Sequence, residues 1–454
     1  MFKKIPKNLN NKKLGFLGLG VENLSLIKFL LKNKVNCRIT VCDPKSAAEL
    51  GDRFLEIKQL ARKQKLSEII LMSGKNYDAH LTDFDLVFRS PGYPLFSKNL
   101  VKAQKVGVEI SSAMKIFFEL CPTKNIIGVT GSKGKGTTSS LIYAILKAGK
   151  KKVYLGGNIG IAPFDFIEKV QATDFVVLEL SSFQLEDLQV SPKVSVITNL
   201  YKEHLAPADP ANPNYHKTMK AYVEAKANIF SHQKKGDWLL LKNETEKQLT
   251  SYLKKSPLEL GAEKVFYYFS SDLPSKLIGK HNQENIDAAL KVAEIFKIKP
   301  EVAARAVKNF SGLPHRLEFV AEINGVKYFD DSFATVPEVS IIALKSFDTP
   351  IILLAGGADK GSSFKSFAKE IEKMVKFLIL FKGKGSDLLK KEILNTKYKI
   401  QNTKTVDNMK DAMALAKKMA KPGDVVLLST GCASFGCFRN YKERGDQFKK
   451  AIKE

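Results

Sequence analysis

The chain alternates short, mostly apolar runs with longer stretches of helical periodicity. Runs at 38–42, 84–88, 126–129, 175–179, 194–200, 326–329, 351–354, 377–381 and 425–428 are rich in Val, Ile, Leu and Phe, and most are followed by a polar loop and then an amphipathic helix. The unbroken runs among them, such as 351–354, 377–381 and 425–428, predict strands buried on both faces, and the intervening helices suit crossovers. That order predicts an α/β fold of parallel sheets. At 454 residues the chain exceeds one ordinary core. Breaks near Ser112 and at Gly312–Arg316 divide it into three domains, 1–112, 113–312 and 313–454. The stretch 242–275 is polar, mixes helix and strand signals, and predicts little.

One stretch organises the chemistry. After the run 126–129 come Gly131, Ser132, Lys133, Gly134, Lys135, Gly136, Thr137 and Thr138, and a helix is expected from about Thr137 through Leu146. A strand, a Gly-rich turn and a helix N-terminus make a cradle of inward-pointing N–H groups that favours phosphate. Lys135 would meet the terminal phosphates, and a hydroxyl of Thr137 or Thr138 would hold Mg²⁺. The spelling departs from the Walker pattern because Gly136 intervenes between Lys135 and the hydroxyls. The stretch reads as a nucleoside triphosphate site, against the plainer alternative of a Gly-rich turn with two solvated lysines.

Composition changes this picture little. With 44% hydrophobic and 26% charged residues the chain is of the soluble globular kind, and no apolar run approaches a membrane span. The basic start is followed by a Gly-rich first strand and Glu22, unlike a signal peptide. Five cysteines without paired or zinc spacing suggest reduced thiols, so a cytoplasmic protein is expected. The net charge of +26 comes from lysines scattered throughout rather than gathered on one segment. A solvated surface that draws in anionic substrates is therefore expected, without nucleic-acid binding or membrane insertion.

Other candidate chemistry sits where strands end. Gly18-x-Gly20, with Asp43 closing the second strand, is an imperfect dinucleotide fingerprint, since Asn23 stands at the third glycine; nucleotide binding and a structural turn both fit. Arg89-Ser-Pro-Gly92 follows another strand. Glu179 ends the run beside the phosphate loop, where a Mg²⁺ ligand belongs, and His204 follows the next strand. By periodicity alone Lys226 is a solvated helix lysine. In the last domain, 330–335, 356–360 and 429–434 gather small, polar and charged residues after strands.

In their order these motifs resemble the Mur ligase family over nearly the whole chain. The most specific are Glu179-Leu-Ser-Ser-Phe-Gln-Leu-Glu186, Gly312-Leu-Pro-His-Arg316, Asp331-Ser-x-Ala-Thr335 and Cys432-Ala-Ser434. The phosphate loop and His281-Asn282 are shared more widely, including with folylpolyglutamate synthases. The resemblance implies a Rossmann-like N-terminal domain for a UDP-substrate, a central P-loop ATPase domain and a C-terminal Rossmann-like domain. The activity it implies is ATP-dependent addition of D-glutamate to UDP-N-acetylmuramoyl-L-alanine, through an acyl phosphate, in peptidoglycan synthesis. ATP, Mg²⁺ at two sites, small-molecule partners and a monomer are expected. By the same resemblance Lys135 binds phosphates, while Thr137, Glu179, His204 and a carbamylated Lys226 serve the metals. Asn285, Arg316 and Asp331 hold the nucleotide. Ser90, Gly92, Asn158 and Ser182 meet the UDP-sugar, and Thr335, Lys360, Ser434 and Phe435 meet the glutamate, with Lys135, His204, Lys226 and Lys360 counted as catalytic.

The chain also departs from the family pattern. Phe333 stands where Lys is usual, and Lys133, usually Asn, is a candidate to replace the lost charge. Glu22 replaces a small hydroxyl residue in the first Gly-rich turn. Ala206 and Pro207 stand where an Asp commonly follows the histidine. A folylpolyglutamate synthase and, from another class, a basic NTPase acting on nucleic acid are the competing readings.

Overall fold

A computed structural model of the chain describes residues 9–207, 213–268, 273–359, 361–397 and 400–454. It contains three sheets, one to each domain of an α/β architecture. The first is wholly parallel, with strands β1 (Lys13–Leu17), β2 (Arg38–Cys42), β3 (Ile70–Met72), β4 (Leu86–Arg89) and β5 (Glu109–Ser111) in the order β3-β2-β1-β4-β5. The order reverses between β1 and β4, so the loops after these two strands lie side by side. There a Cβ on Gly18 would meet Ser90 Oγ at 2.8 Å. This is the crevice in which open α/β sheets bind ligands.

The second sheet, also parallel, uses β6 (Ile126–Thr130), β7 (Val153–Gly157), β8 (Phe175–Glu179), β9 (Val194–Ile197), β10 (Trp238–Leu241) and β11 (Val265–Tyr267) in the order β11-β10-β9-β6-β8-β7. Strand β6 is central, flanked by β8 and β9, and every residue of β6, β8 and β9 is buried. Unbroken apolar sequence follows from that burial. The helix Ala113–Leu120, capped by Ser112 Oγ accepting from Lys115 N at 3.3 Å, leads from the first sheet to the second. Its Phe117 lies edge-on to Phe164 and Phe166, so the two sheets share one hydrophobic core. The unreadable stretch 242–275 supplies the helix Asn243–Leu253 and the short edge strand β11.

The third sheet runs β12-β13-β17-β14-β15-β16, from β12 (Glu318–Ile323), β13 (Val326–Asp330), β14 (Ile351–Gly356), β15 (Val375–Phe381), β16 (Thr403–Val406) and β17 (Val425–Leu428). All its pairings are parallel but one. Strand β12 pairs antiparallel with β13 through the turn at Asn324-Gly325. The sequence pattern hides β12 because it is a half-exposed edge strand with no continuous apolar run. By contacts the chain divides into two compact units. One runs through residue 270 and takes in 285–303; the other takes 271–284 and everything from 304 onward. No described helix is long and apolar enough to cross a membrane.

In the second unit the helix Tyr441–Lys453 packs closely at Gly445. A Cβ there would lie 2.1 Å from His315 Nδ1 and 2.6 Å from Asp330 Oδ2, which are hydrogen-bonded to each other at 2.7 Å. Ala usually exceeds Gly in a helix by about 1 kcal/mol, but overpacking of about 1–3 kcal/mol opposes it here. Gly445→Ala is therefore expected to lower the denaturation midpoint of the C-terminal unit. A raised midpoint would mean the helix can move aside.

Candidate active site

The phosphate loop is built on two glycines whose backbone conformation would strain any other residue. Gly131 and Gly134 have φ of +143° and +83°. A Cβ on the first would fall 1.9 Å from Thr198 Oγ1, and on the second 2.2 Å from Asn285 Oδ1. The loop after β9 braces it from below. Ser132 N donates to Asn199 O at 2.9 Å, Lys133 N to Asn199 Oδ1 at 2.8 Å, and Thr198 Oγ1 to Lys133 O at 2.6 Å. The helix Lys135–Ala148 starts two residues earlier than its apolar periodicity predicts, and no side chain caps it at Gly134. An uncapped helix N-terminus beside a strained glycine turn fits a phosphate group. Of the two hydroxyls, Thr138 is buried and donates to Asn285 Oδ1 at 3.1 Å, which leaves the half-buried Thr137 as the accessible one.

Two lysines converge on one oxygen. Lys135 Nζ donates to Gly131 O and to Ser132 O, each at 2.9 Å. Lys226 Nζ, from the helix Met219–Ala227, donates to the same Gly131 O at 2.7 Å and to Thr130 Oγ1 at 3.3 Å. Periodicity marks Lys226 as a solvated residue; it is 1% exposed, with its amine over the Tyr222 ring. Burial pushes its pKa well below the usual lysine range, Lys135 adds to the effect, and Glu203 and Glu179 oppose it. A desolvated lysine becomes a neutral amine, which is nucleophilic.

The other candidate metal ligands flank the same loop. Glu179 ends β8 and is buried. Its Oε1 accepts from Asn158 Nδ2 at 2.7 Å and its carbonyl from Asn158 N at 2.8 Å, so the two candidates are locked together. His204 adopts a left-handed backbone (φ +58°), and its ring stands edge-on to Phe183. Burial first, then the neighbouring lysines, lower its pKa despite Glu203. Its neutral form is the one that binds metal. Glu179 and Thr137 offer the oxygen donors that Mg²⁺ takes, and His204 sets a neutral imidazole beside them. The charge of Lys133 is not free for a phosphate here, because its ammonium pairs with Glu203 at 3.0 Å.

At the first sheet, Ser90 and Gly92 lie partly exposed in the loop after β4. Arg89 beneath them is 1% exposed, donates to Tyr93 O, Phe183 O and Asp187 Oδ1, and lies 3.6 Å from Glu186. Glu22 is hydrogen-bonded by Gln184 Nε2, and burial raises its pKa to about 7.

In the second unit the loops after β13, β14 and β17 meet at one sheet end. Asp331 N donates to Leu428 O, Gly431 N to Ala334 O, and Ala358 and Ala433 exchange backbone bonds. The buried Asp331 accepts from Ser429 Oγ at 2.7 Å and Leu317 N at 3.1 Å, and its pKa rises to about 7 through burial. Thr335 is partly exposed, Ser434 buried and Phe435 61% exposed beside it. Arg444, also buried, holds the loops by donating to Ser332 and to Cys432 O. Arg316 lies over the Phe333 ring. Lys360 lies outside the described residues.

Three family models match the chain in order: the MurD-like N-terminal domain of Mur ligases over residues 12–112, the Mur ligase middle domain over 129–293, and the Mur ligase glutamate ligase domain over 315–432. A UDP-N-acetylmuramoylalanine--D-glutamate ligase of Clostridium acetobutylicum is 38% identical over 473 residues, covering 99% of this chain and 98% of that protein. The chain belongs to the Mur ligase family. A ligase of the same description from Clostridium tetani is 37% identical, covering 100% and 99%. Among solved structures, a UDP-N-acetylmuramate-alanine ligase from Thermotoga maritima shares the fold, with a TM-score of 0.56 at 17% identity over 98% of this chain and 99% of that one. Mur ligases use ATP and Mg²⁺.

Sequence reasoning left several of this ligase's site residues without a role. His216 is buried; its Nε2 meets Ser182 Oγ at 2.9 Å and its ring stacks on Phe183, while its backbone N donates to His204 O at 2.8 Å. Asn214, two residues earlier, donates to Pro91 O at 2.8 Å. One short segment thus straps three candidate loops together. Its only sequence signal is a second histidine shortly before the helix that carries Lys226. Asn199, Glu203 and Tyr222 likewise brace the phosphate loop through side-chain bonds that no spacing rule predicts.

Burial lowers the pKa of His216 to about 4. The unfolded chain therefore binds a proton near pH 6.5 that the folded chain refuses until about pH 4. The stability that the neutral ring permits is complete above pH 6.5 and is lost progressively down to pH 4, by up to about 3 kcal/mol. His216→Gln should show a flatter fall over that window in urea titrations. An equal slope in parent and variant would place the proton elsewhere.

Proposed function

We propose that this ligase joins D-glutamate to the L-alanyl carboxyl of UDP-N-acetylmuramoyl-L-alanine at the expense of ATP, a step of peptidoglycan synthesis. The observation that carries it is the meeting of Lys135 and the buried Lys226 on Gly131 O, inside a phosphate cradle of a chain so similar to ligases of that name. A carboxylate is a poor electrophile. Its oxygen attacks the γ-phosphorus of ATP, ADP leaves, and an acyl phosphate results. The free amine of glutamate then adds to the acyl carbon, and the tetrahedral adduct expels phosphate to leave the amide.

In this reading the backbone of 131–138 cradles the phosphates and Lys135 follows the charge as it moves to the leaving oxygen. Asn285, Arg316 and Asp331 hold the nucleoside. Ser90, Gly92, Asn158 and Ser182 orient the UDP-sugar, and Thr335, Lys360, Ser434 and Phe435 receive the glutamate. Thr137, Glu179, His204 and a modified Lys226 would hold two Mg²⁺ ions, which neutralise phosphate charge when bound. The neutral Lys226 amine attacks carbon dioxide and sheds a proton, which turns a buried donor into a carboxylate ligand. We further propose a cytoplasmic monomer, with domain limits 1–112, 113–312 and 313–454.

Phosphate release from MgATP is expected only with UDP-N-acetylmuramoyl-L-alanine and D-glutamate together. Release with L-glutamate instead would move the amino-acid pocket. Release only with a folate, or only with DNA or RNA, would replace this reading with the corresponding competitor. Lys226→Ala should lose about a hundredfold or more in turnover, with partial recovery on adding short-chain carboxylic acids; an unimpaired variant rules out the carbamate.

A further inference from the structure

The residues around Arg316 form a tightly laced corner. Its two neighbours, His315 and Leu317, both have left-handed backbones, with φ of +64° and +45°. Such strain persists only where surrounding bonds impose it. Those bonds come from the segment after β13: Phe333 N donates to His315 O at 2.9 Å, Leu317 N to Asp331 Oδ1 at 3.1 Å, and His315 Nδ1 meets Asp330 Oδ2 at 2.7 Å. The backbone thus presents Arg316 in one direction, and the Phe333 ring lies under its guanidinium, 3.9 Å from Cζ to the ring centroid. The ring is itself fixed, edge-on to Tyr441 at 5.0 Å, at the start of the last helix. It remains 37% exposed.

From this stacked pair at a strained turn, we propose that Phe333 is the positioning residue for Arg316, fixing the guanidinium in the pose that meets the nucleotide. The inference rests on Arg316 being a nucleotide contact. At this position, where the family usually has Lys, the phenyl face attracts the guanidinium. Phe333 then acts by restricting the rotamers of a long side chain before the ligand arrives.

Calorimetric titration with MgATP, and separately with UDP-N-acetylmuramoyl-L-alanine, tests it on the full chain. Phe333→Leu should weaken MgATP binding about threefold to fivefold and leave the UDP-sugar affinity unchanged. Phe333→Tyr should match the parent value. In an Arg316→Gln background the Phe333→Leu penalty should vanish. The proposal is overturned by unchanged MgATP affinity in Phe333→Leu, by equal weakening of both ligands, or by a penalty that survives Arg316→Gln. A parent that binds no ATP overturns it together with the nucleotide site. A parent that binds ATP but releases no phosphate with D-glutamate fails the substrate reading alone, and the titrations still decide the role of Phe333.

Discussion

The Gly131 carbonyl is the point on which the candidate site turns. It accepts one lysine from the helix that it precedes and another from a helix more than ninety residues later in sequence. Two full positive charges on one neutral oxygen, with one of them out of water, would repel strongly at the low effective dielectric of a protein interior. The amine that cannot be hydrated gives up its proton more readily, and that is Lys226. The carbonyl can point this way only because Gly131 takes a φ closed to other residues, and because Thr198 fills the space a side chain would need. Burial first, and then Lys135, lower the pKa of Lys226, and the carbonyl marks the place where the two amines meet.

The buried arginines behave differently from the buried lysine. Arg89 and Arg444 are each 1% exposed, as Lys226 is. Arg89 is met by Glu186, Asp187 and two carbonyls, and Arg444 by the Ser332 hydroxyl and two carbonyls. A guanidinium keeps its charge under such conditions and so serves as a fixed strut. Arg89 ties the end of β4 to the segment after β8, and Arg444 ties the loop after β13 to the loop after β17. An amine buried to the same degree does not stay a strut, because its charge is negotiable. Of these three buried bases, the lysine is the one suited to chemistry.

What could be read from sequence and what could not follow the range of the forces involved. Strands such as β8 and β14 were legible because full burial on both faces leaves an unbroken apolar run. The phosphate loop was legible because its constraint is local: glycines at fixed offsets between a strand and a helix. Strand β12 was not, since half-exposed edge residues carry no burial pattern. Periodicity misplaced Lys226 for a related reason, because helix amphipathicity reports the average face and not a single polar residue turned inward. His216 and Asn199 were missed because their value lies in hydrogen bonds between segments distant in sequence. The resemblance to a family singled out Lys226 but gave no role to these braces, whose partners only the folded chain reveals.

Two departures from the family pattern, Glu22 and Phe333, share one physical logic. Each changes the charge expected near an anionic ligand, and each is answered by a neighbour in the same unit. Glu22 would set a carboxylate in a Gly-rich turn, but Gln184 donates to it and burial raises its pKa to about 7, so near neutral pH much of its charge is lost. Phe333 removes a cation and gives its face to another, Arg316, whose turn is already strained into place. A site that recognises anions needs its net field and its donor directions, not a particular residue at each position. The two answers differ in kind: protonation removes negative charge at Glu22, whereas Phe333 holds a cation already present and does not replace the one it removes.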